Sequence, residues 1–164
     1  MVKRQSIYLD TSVINFLFAD DSPERKEITQ DFFDNFIKTG IYECYISGFV
    51  IDEIENTTNK DKREKLLKII EECPIDFIEI SDADEIEDLA KVYVDKGIIP
   101  YKKYYDAYHI ACAVANKIDY LISWNFRHLA NIKRERKVIS ANLDIGYVHE
   151  FRIITPLELM DYEN

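Results

Sequence analysis

The 164-residue sequence predicts a three-layer α/β/α fold, in which helices cover both faces of a mainly parallel sheet of about five strands. Short apolar segments typical of buried strands alternate with longer segments of helical periodicity, which favours parallel strand–helix–strand units. Only 4 glycine and 4 proline residues are present, so long irregular connections are not expected. The length fits one domain over residues 1–164, because a chain of this size buries a single core.

The first half of the chain predicts three strands. SIYLD, residues 6–10, is a short apolar strand, and a helix begins near Ser12. Ser22 and Pro23 predict the start of a second helix, because serine caps helix N-termini and proline fits the first turn; Gly40 ends this helix. The remaining elements of this half are a strand at 42–47, helices at 48–58 and 60–72, and a strand at 76–80.

The second half predicts further helices and two strands. Ser81 is expected to cap a helix whose apolar residues recur at helical spacing until Gly97, which lies shortly before Pro100. The remaining elements are a helix at 101–117, a strand at 119–123 and a strand at 151–155. Strands and helices thus alternate along the whole chain.

Composition and charge narrow the classes of function. The net charge of -10 argues against a protein that coats nucleic acid by bulk electrostatic attraction, because that mode of binding needs a basic surface. No apolar run reaches the length of a membrane span, and the N-terminal residues lack the pattern of a signal peptide, so the protein is expected to be cytoplasmic with no membrane partner. The three cysteines are expected to be small core residues.

One segment is basic in spite of the net charge. Residues 127–137 carry five cations against the single acid Glu135: Arg127, Lys133, Arg134, Arg136 and Lys137. A solvated helix face is the commoner explanation of such a run, and a phosphate-binding surface is the other.

An acidic residue lies on an apolar helix face after the second strand. Glu53 falls in the middle of that face at helical spacing. The apolar residues that define the face are Phe49, Val50 and Ile54. The neighbouring acids Asp52 and Glu55 point away from it. Glu53 is therefore the acid whose position needs an explanation.

Two further acids stand where a charge is costly. Asp106 lies in the helix at 101–117, which is apolar nearly all round and therefore buried, so its charge needs a partner. Asp10 ends the first strand, where capping of the following helix is the commoner role for aspartate.

The predicted topology brings these acids together. Asp10 and Glu53 follow strands one and two, and both therefore lie at the carboxyl edge of a parallel sheet, where ligands of open α/β folds bind. The helix that carries Asp106 runs antiparallel to the fourth strand, so its start returns to the same edge. Carboxylates gathered there repel one another unless a cation neutralises them. An all-oxygen set without cysteine suits Mg²⁺ or Mn²⁺.

Asn125 is the polar residue that follows the fourth strand in YLISWNFRHL. It has two interpretations: the cap of a short helix at 126–129, which is the commoner use of asparagine there, or a residue at a metal-ligand position. We favour the second, because the strand ends at the same edge as the three acids.

Four blocks of the sequence resemble the PIN domains, a family of metal-dependent ribonucleases that includes the VapC toxins of toxin–antitoxin pairs. The blocks are YLDTSVI with Asp10, YISGFVIDEI with Glu53, YYDAYHIACAVA with Asp106, and DYLISWN with Ser123 and Asn125. Together they span roughly Ile7 to Leu129. The first three acids match the family residue by residue, whereas Asn125 stands where the family usually has an acid.

The resemblance implies hydrolysis of phosphodiester bonds in RNA, with single-stranded RNA as the expected substrate. It also implies that Asp10, Glu53 and Asp106 hold Mg²⁺ or Mn²⁺ and take part in catalysis. Asn125 would be a further ligand, and Thr11 and Ser123 would be supporting polar groups. The cations of residues 127–137 would hold flanking phosphates. The resemblance also implies an antitoxin as a possible partner, and the net charge of -10 would suit a basic partner peptide. A homodimer is expected by resemblance.

The sequence lacks the residues that several other enzyme mechanisms require. A haloacid-dehalogenase-like phosphatase needs an acid two residues after Asp10, where Ser12 stands, and no glycine-rich phosphate loop follows a strand. The histidines, His109, His128 and His149, are expected to be core or surface residues, and Trp124 is expected to anchor packing. The alternative from another class is a non-catalytic PIN-like module that binds RNA or a protein.

Overall fold

The computed structural model describes residues 3–163, which form the predicted three-layer fold around one five-stranded sheet. All four strand pairs are parallel, and the strand order is β3-β2-β1-β4-β5. The strands are β1 (Ser6–Leu9), β2 (Glu43–Ile46), β3 (Asp76–Phe77), β4 (Tyr120–Ile122) and β5 (Arg152–Ile154). The predicted fold class is confirmed.

Helices fill the connections between the strands. The chain moves one way across the sheet through β1, β2 and β3, and then returns past β1 to β4 and β5, so right-handed connections place helices on both faces. The α-helices are α1 (Thr11–Asn15), α2 (Pro23–Phe32), α3 (Gly48–Glu55), α4 (Lys60–Glu72), α5 (Ala83–Asp95), α6 (Tyr104–Ala115), α7 (Ile132–Asp144) and α8 (Pro156–Tyr162). None of the helices within residues 3–163 is long and apolar enough to cross a membrane.

Several element boundaries differ from the sequence prediction. The strand expected at 76–80 is only two residues long, because β3 is an edge strand and the chain leaves the sheet after Ile78 donates its N–H to Ile46. Asp82 caps α5 by accepting the N–H of Glu85 at 3.0 Å, so the expected cap at Ser81 is wrong. Residues 101–103 form a 3₁₀ turn before α6 rather than its first turn.

Three shorter segments also differ from the sequence prediction or add to it. Phe33–Ile37 continues α2 as a π-helical turn before the chain reaches Gly40, whose φ is +70°. The short helix at 126–129, which belonged to the capping interpretation of Asn125, is a series of turns. The C-terminal helix α8 is fixed by a capping box between Thr155 and Glu158.

The core is built around β1, the central strand. Ile7, Tyr8 and Leu9 are fully buried, and α6 is buried along most of its length, as its all-round apolar sequence predicts. Tyr8 brings a hydroxyl group into this core, and a buried hydroxyl needs a hydrogen-bond partner. Its partners lead directly to the carboxyl edge of the sheet.

Candidate active site

A cleft of about 340 Å³ lies at the carboxyl edge, where β1 and β4 end side by side. It is the position at which the chain changes direction across the sheet, and ligands of open α/β folds bind at such points. The cleft is lined by Asp10, Thr11, Ser12, Asn15, Glu53, Lys102, Lys103, Tyr105, Asp106, His109 and Asn125. The three acids singled out in the sequence therefore line one cleft.

Asp10 is held in place by hydrogen bonds from two strand ends. Its Oδ1 accepts the backbone N–H and the hydroxyl of Ser12, so it caps α1 as expected. Its Oδ2 accepts the hydroxyl of Ser123 at 2.6 Å, across from the end of β4. Ser12 in turn accepts the N–H of Trp124 at 3.0 Å. Asp10 is only 3% exposed, so its orientation is fixed by these contacts.

Glu53 ends a buried chain of hydrogen bonds. Its Oε1 accepts the Thr11 hydroxyl at 2.8 Å and the Nε2–H of His109 at 2.5 Å. The Nδ1 of His109 lies 2.6 Å from the Tyr8 hydroxyl, which lies 2.6 Å from the Ser47 hydroxyl. The two contacts on opposite sides of the His109 ring fix its orientation between Glu53 and Tyr8. The core thus fixes the Glu53 carboxylate from behind.

Asp106 is held less firmly than the other two acids. Asn125 donates from Nδ2 to Asp106 Oδ2 at 3.3 Å, while its Oδ1 accepts the N–H of His128 at 3.0 Å. The second bond orients the amide, so the nitrogen faces the acid. Asn125 therefore makes a cap-like contact and also lies against Asp106, and its role as a metal ligand remains a prediction.

Trp124 anchors the turn that carries Asn125, as expected of a packing residue. Its indole Nε1–H donates to the Thr29 hydroxyl at 2.9 Å, and its side chain is 4% exposed. The Arg25 guanidinium lies 5.6 Å from the Trp124 ring centroid and 4.9 Å from that of Phe126. The turn after β4 is therefore tied to α2.

The electrostatics of the cleft follow from burial and crowding. Burial and the charge of Asp10 raise the pKa of Asp106 to about 6, and burial is also the main cause of the raised pKa of Asp10. Burial raises the pKa of Glu53 as well, but the hydrogen bonds from His109 and Thr11 outweigh it, and the net pKa is lowered. Two of the three acids thus resist ionisation in the absence of a cation.

The donor set fits a hard divalent cation. Within residues 3–163, no three Asp, Glu, His or Cys side chains lie close enough, as placed, to enclose an ion. The hydrogen bonds of these residues nevertheless leave Glu53 Oε2 and Asp106 Oδ1 without a donor in a shared cleft. Carboxylate oxygens of this kind are the ligands that Mg²⁺ and Mn²⁺ prefer, and a cation would relieve the repulsion that raises the pKa of Asp106.

Some of the other residues predicted from the sequence lie at the cleft and others lie outside it. Thr11 lines the cleft, and Ser123 contacts Asp10 from behind it. Asp52 and Glu55 are exposed and do not line it, as the helical spacing indicated. None of the five cations of residues 127–137 lines it either; the set is Arg127, Lys133, Arg134, Arg136 and Lys137.

Sequence reasoning missed six residues of the cleft: Ser12, Asn15, Lys102, Lys103, Tyr105 and His109. His109 was expected to be a core or surface residue; it is 1% exposed, yet its Nε2 contacts Glu53. The sequence could have indicated its position, because His109 lies one helical turn from Asp106 in the same half of α6. Lys102, Lys103 and Tyr105 precede or flank Asp106 and were also missed. His128 and His149 do not line the cleft.

Asn125→Asp is expected to raise Mn²⁺ affinity about tenfold, equivalent to about 1.4 kcal/mol, because it adds a negative charge beside the predicted metal site. The Asp side chain retains the bond from His128 but places an oxygen against Asp106, where the amide donates. Without metal, the substitution should therefore lower the melting temperature. Isothermal titration with Mn²⁺ and melting in EDTA measure both effects, and no change in either would make Asn125 a cap only.

Comparisons with known proteins agree with the geometry. The family model for the PIN domain matches residues 7–135. No curated protein matches the sequence. Among solved structures, the chain is similar to one described as VapBC2 from Rickettsia felis bound to a DNA fragment from their promoter, with a TM-score of 0.55 and 15% identity. That match covers 92% of this chain and 98% of the other.

Proposed function

Because the chain belongs to the PIN domain family, we propose that it is a divalent-metal-dependent endoribonuclease that hydrolyses phosphodiester bonds of single-stranded RNA. The observation that carries the proposal is the convergence of Asp10, Glu53 and Asp106 on one cleft at the carboxyl edge of the sheet. Hydrolysis of RNA needs a cation beside a negatively charged phosphate, and three carboxylates in one cleft supply the means to hold it.

Asp10, Glu53 and Asp106 would hold Mg²⁺ or Mn²⁺, with Asn125 as a further predicted ligand. When bound, the metal neutralises charge on the phosphoryl oxygens and makes water more acidic. Asp10 and Glu53 are fixed by hydrogen bonds and are suited to binding. Within residues 3–163, by contrast, Asp106 Oδ1 accepts no hydrogen bond and Oδ2 accepts one long bond of 3.3 Å. Asp106 is therefore the carboxylate best placed to orient the attacking water and accept its proton.

Neighbouring hydroxyls support the two fixed acids. Thr11 donates to Glu53 and Ser123 donates to Asp10, so each limits the rotation of a carboxylate. Such contacts keep reacting groups in one geometry and lower the cost of reaching the transition state. The cations of residues 127–137 lie outside the cleft, and their binding of flanking phosphates remains a prediction.

We propose further that the chain is the toxin of a toxin–antitoxin pair. The structurally similar protein is described as a VapBC2 complex, and the net charge of -10 suits a basic partner segment. A homodimer is also expected. Co-expression with the product of an adjacent small open reading frame, followed by co-purification and measurement of mass, tests both expectations.

Cleavage of labelled single-stranded RNA tests the proposed function. The wild-type protein should cleave in millimolar Mg²⁺ or Mn²⁺, EDTA should stop the reaction, and excess Mn²⁺ should restore it. RNA binding without cleavage under all these conditions would instead favour the non-catalytic binding module. Nuclease contamination is controlled by showing that activity and protein mass co-elute from a sizing column.

Mn²⁺ is expected to stabilise the fold, because a cation that binds the native carboxylate cluster has no equivalent site in the unfolded chain. At about ten times the dissociation constant, the gain in unfolding free energy is about 1.4 kcal/mol. Thermal melts across an Mn²⁺ titration measure this gain, with K⁺ at equal ionic strength as the control. A melting temperature that stays constant through millimolar Mn²⁺ would contradict a metal site in the cleft.

A further inference from the structure

A row of aromatic rings that contact one another includes Tyr105, the member of the row that lines the cleft. We call it the aromatic lip; it consists of Phe49, Tyr101, Tyr104, Tyr105 and Tyr108. Phe49 and Tyr108 stack at 4.4 Å, Tyr108 and Tyr104 lie 4.9 Å apart, and Tyr104 and Tyr101 lie 5.9 Å apart. Tyr105 meets Phe49 edge to face at 6.1 Å and lines the cleft.

Packing against the core explains the positions of only some of these aromatic residues. Tyr104 and Tyr108 are half-buried against the core, but Tyr101 is 79% exposed and Tyr105 is 41% exposed. Among the described residues, neither Tyr101 nor Tyr105 has a hydrogen-bond partner for its hydroxyl group. Tyr105 is thus a partly exposed ring that lines the cleft, and such a ring presents a face on which a planar group can stack.

Two lysines lie on the same segment. Lys102 and Lys103 are the only cations among the described residues that line the cleft, and both are exposed. Neither forms an ion pair within residues 3–163, although the charge of Lys103 contributes to lowering the pKa of Glu53. An exposed, unpaired ammonium group at the rim of an acidic cleft is suited to a phosphate that enters it.

We propose that the aromatic lip, together with Lys102 and Lys103, binds single-stranded RNA beside the cleft: Tyr105 stacks on an unpaired base, and Lys103 contacts a phosphate next to the one that is cleaved. This inference rests on the proposed function. The segment YKKYY places two cations between aromatic residues, and single-stranded nucleic acid is bound by basic side chains at its phosphates and by aromatic rings at its bases. Lys102, Lys103 and Tyr105 line the cleft, so RNA held by them reaches the carboxylates, whereas residues 127–137 do not line it.

Fluorescence anisotropy with a labelled single-stranded RNA of mixed sequence tests the inference, in EDTA and low salt so that the probe is not cleaved. Tyr105→Ala should weaken binding about tenfold, and Tyr105→Phe should bind as the wild type does, because it retains the ring. Lys103→Ala should reduce the slope of log affinity against log salt by about 0.7. The matched controls are Tyr162→Ala and Lys68→Ala, which alter exposed residues outside the cleft.

Cleavage kinetics in Mn²⁺ give a second readout. Tyr105→Ala should raise KM with kcat unchanged, because stacking contributes equally to the substrate and the transition state. Duplex RNA, whose bases are already stacked, should bind no more weakly to Tyr105→Ala than to the wild type.

Three results would overturn the inference. The first is equal RNA binding by wild type, Tyr105→Ala and Lys103→Ala while wild type still cleaves RNA; this leaves the proposed function standing. The second is loss of a dimer in sedimentation of Tyr101→Ala or Tyr105→Ala, which would make the lip a contact between copies. The third is a wild-type protein that neither binds nor cleaves RNA, which removes the proposed function as well.

Discussion

Asp10→Asn is expected to reduce metal-dependent cleavage of RNA by about a thousandfold or more, because it removes one of the three charges that would hold the cation. The substitution is nearly isosteric, and Asn Oδ1 can still accept the N–H of Ser12, so α1 keeps its cap. Initial rates of cleavage in saturating Mn²⁺ measure the loss.

Two controls separate chemistry from folding. Asp52→Asn removes an exposed charge from α3 that lies outside the cleft, and it should cleave at the wild-type rate. Asp10→Asn should melt in EDTA at or above the wild-type temperature, since burial raises the pKa of Asp10 and its ionised form is costly. Wild-type cleavage rates in a folded Asp10→Asn protein would exclude Asp10 from the reaction.

The metal-free protein is expected to lose stability as pH rises through the range in which Asp106 ionises. The pKa of Asp106 in the fold is about 6, against an ordinary value of 3.8, so the folded state binds this proton more tightly than the unfolded state. The contribution is fully present below pH 3.8 and is lost as pH rises through about 6. The difference corresponds to about 3 kcal/mol.

Urea denaturation in EDTA measures this dependence of stability on pH. The measurements run from pH 4 to pH 7, about three pH units that include the expected transition. Asp106→Asn should lack the Asp106 contribution, so the difference between the two proteins isolates it from other titrating groups. In saturating Mn²⁺, the trend should reverse, because the cation binds the ionised carboxylate. Parallel stability profiles for the two metal-free proteins would contradict the raised pKa.

The fold and the three acids were predictable because each rests on a local rule combined with topology. Helical spacing places Glu53 on the face of α3 that reaches the cleft and turns Asp52 away from it into solvent. The antiparallel relation of α6 and β4 brings Asp106 to the end of the sheet where Asp10 lies. Parallel strands share one carboxyl edge whatever their lengths, so errors in the bounds of β3 did not matter.

The contacts behind the acids were not predictable, because they depend on side-chain packing across the sequence. Tyr8 and His109 are separated by 101 positions and meet only because β1 and α6 pack together. Both residues lie in blocks that resemble the PIN domains, but neither block indicates a contact between them, and a histidine on an apolar helix is usually a core residue. The amide orientation of Asn125 likewise depends on the turn that brings the His128 N–H to its oxygen.

The contact between Asp10 and Ser123 also constrains when the cleft forms during synthesis. The two residues are separated by 113 positions, and β4 must pair with β1 before they meet. Closing so long a loop carries an entropy cost that later contacts must offset, so this pairing forms only after most of the chain has left the ribosome. A nascent chain that ends before β4 has Asp10 but lacks the other half of its support. We therefore expect that the ribosome-bound chain cannot cleave RNA, its own message included, until synthesis has passed β4.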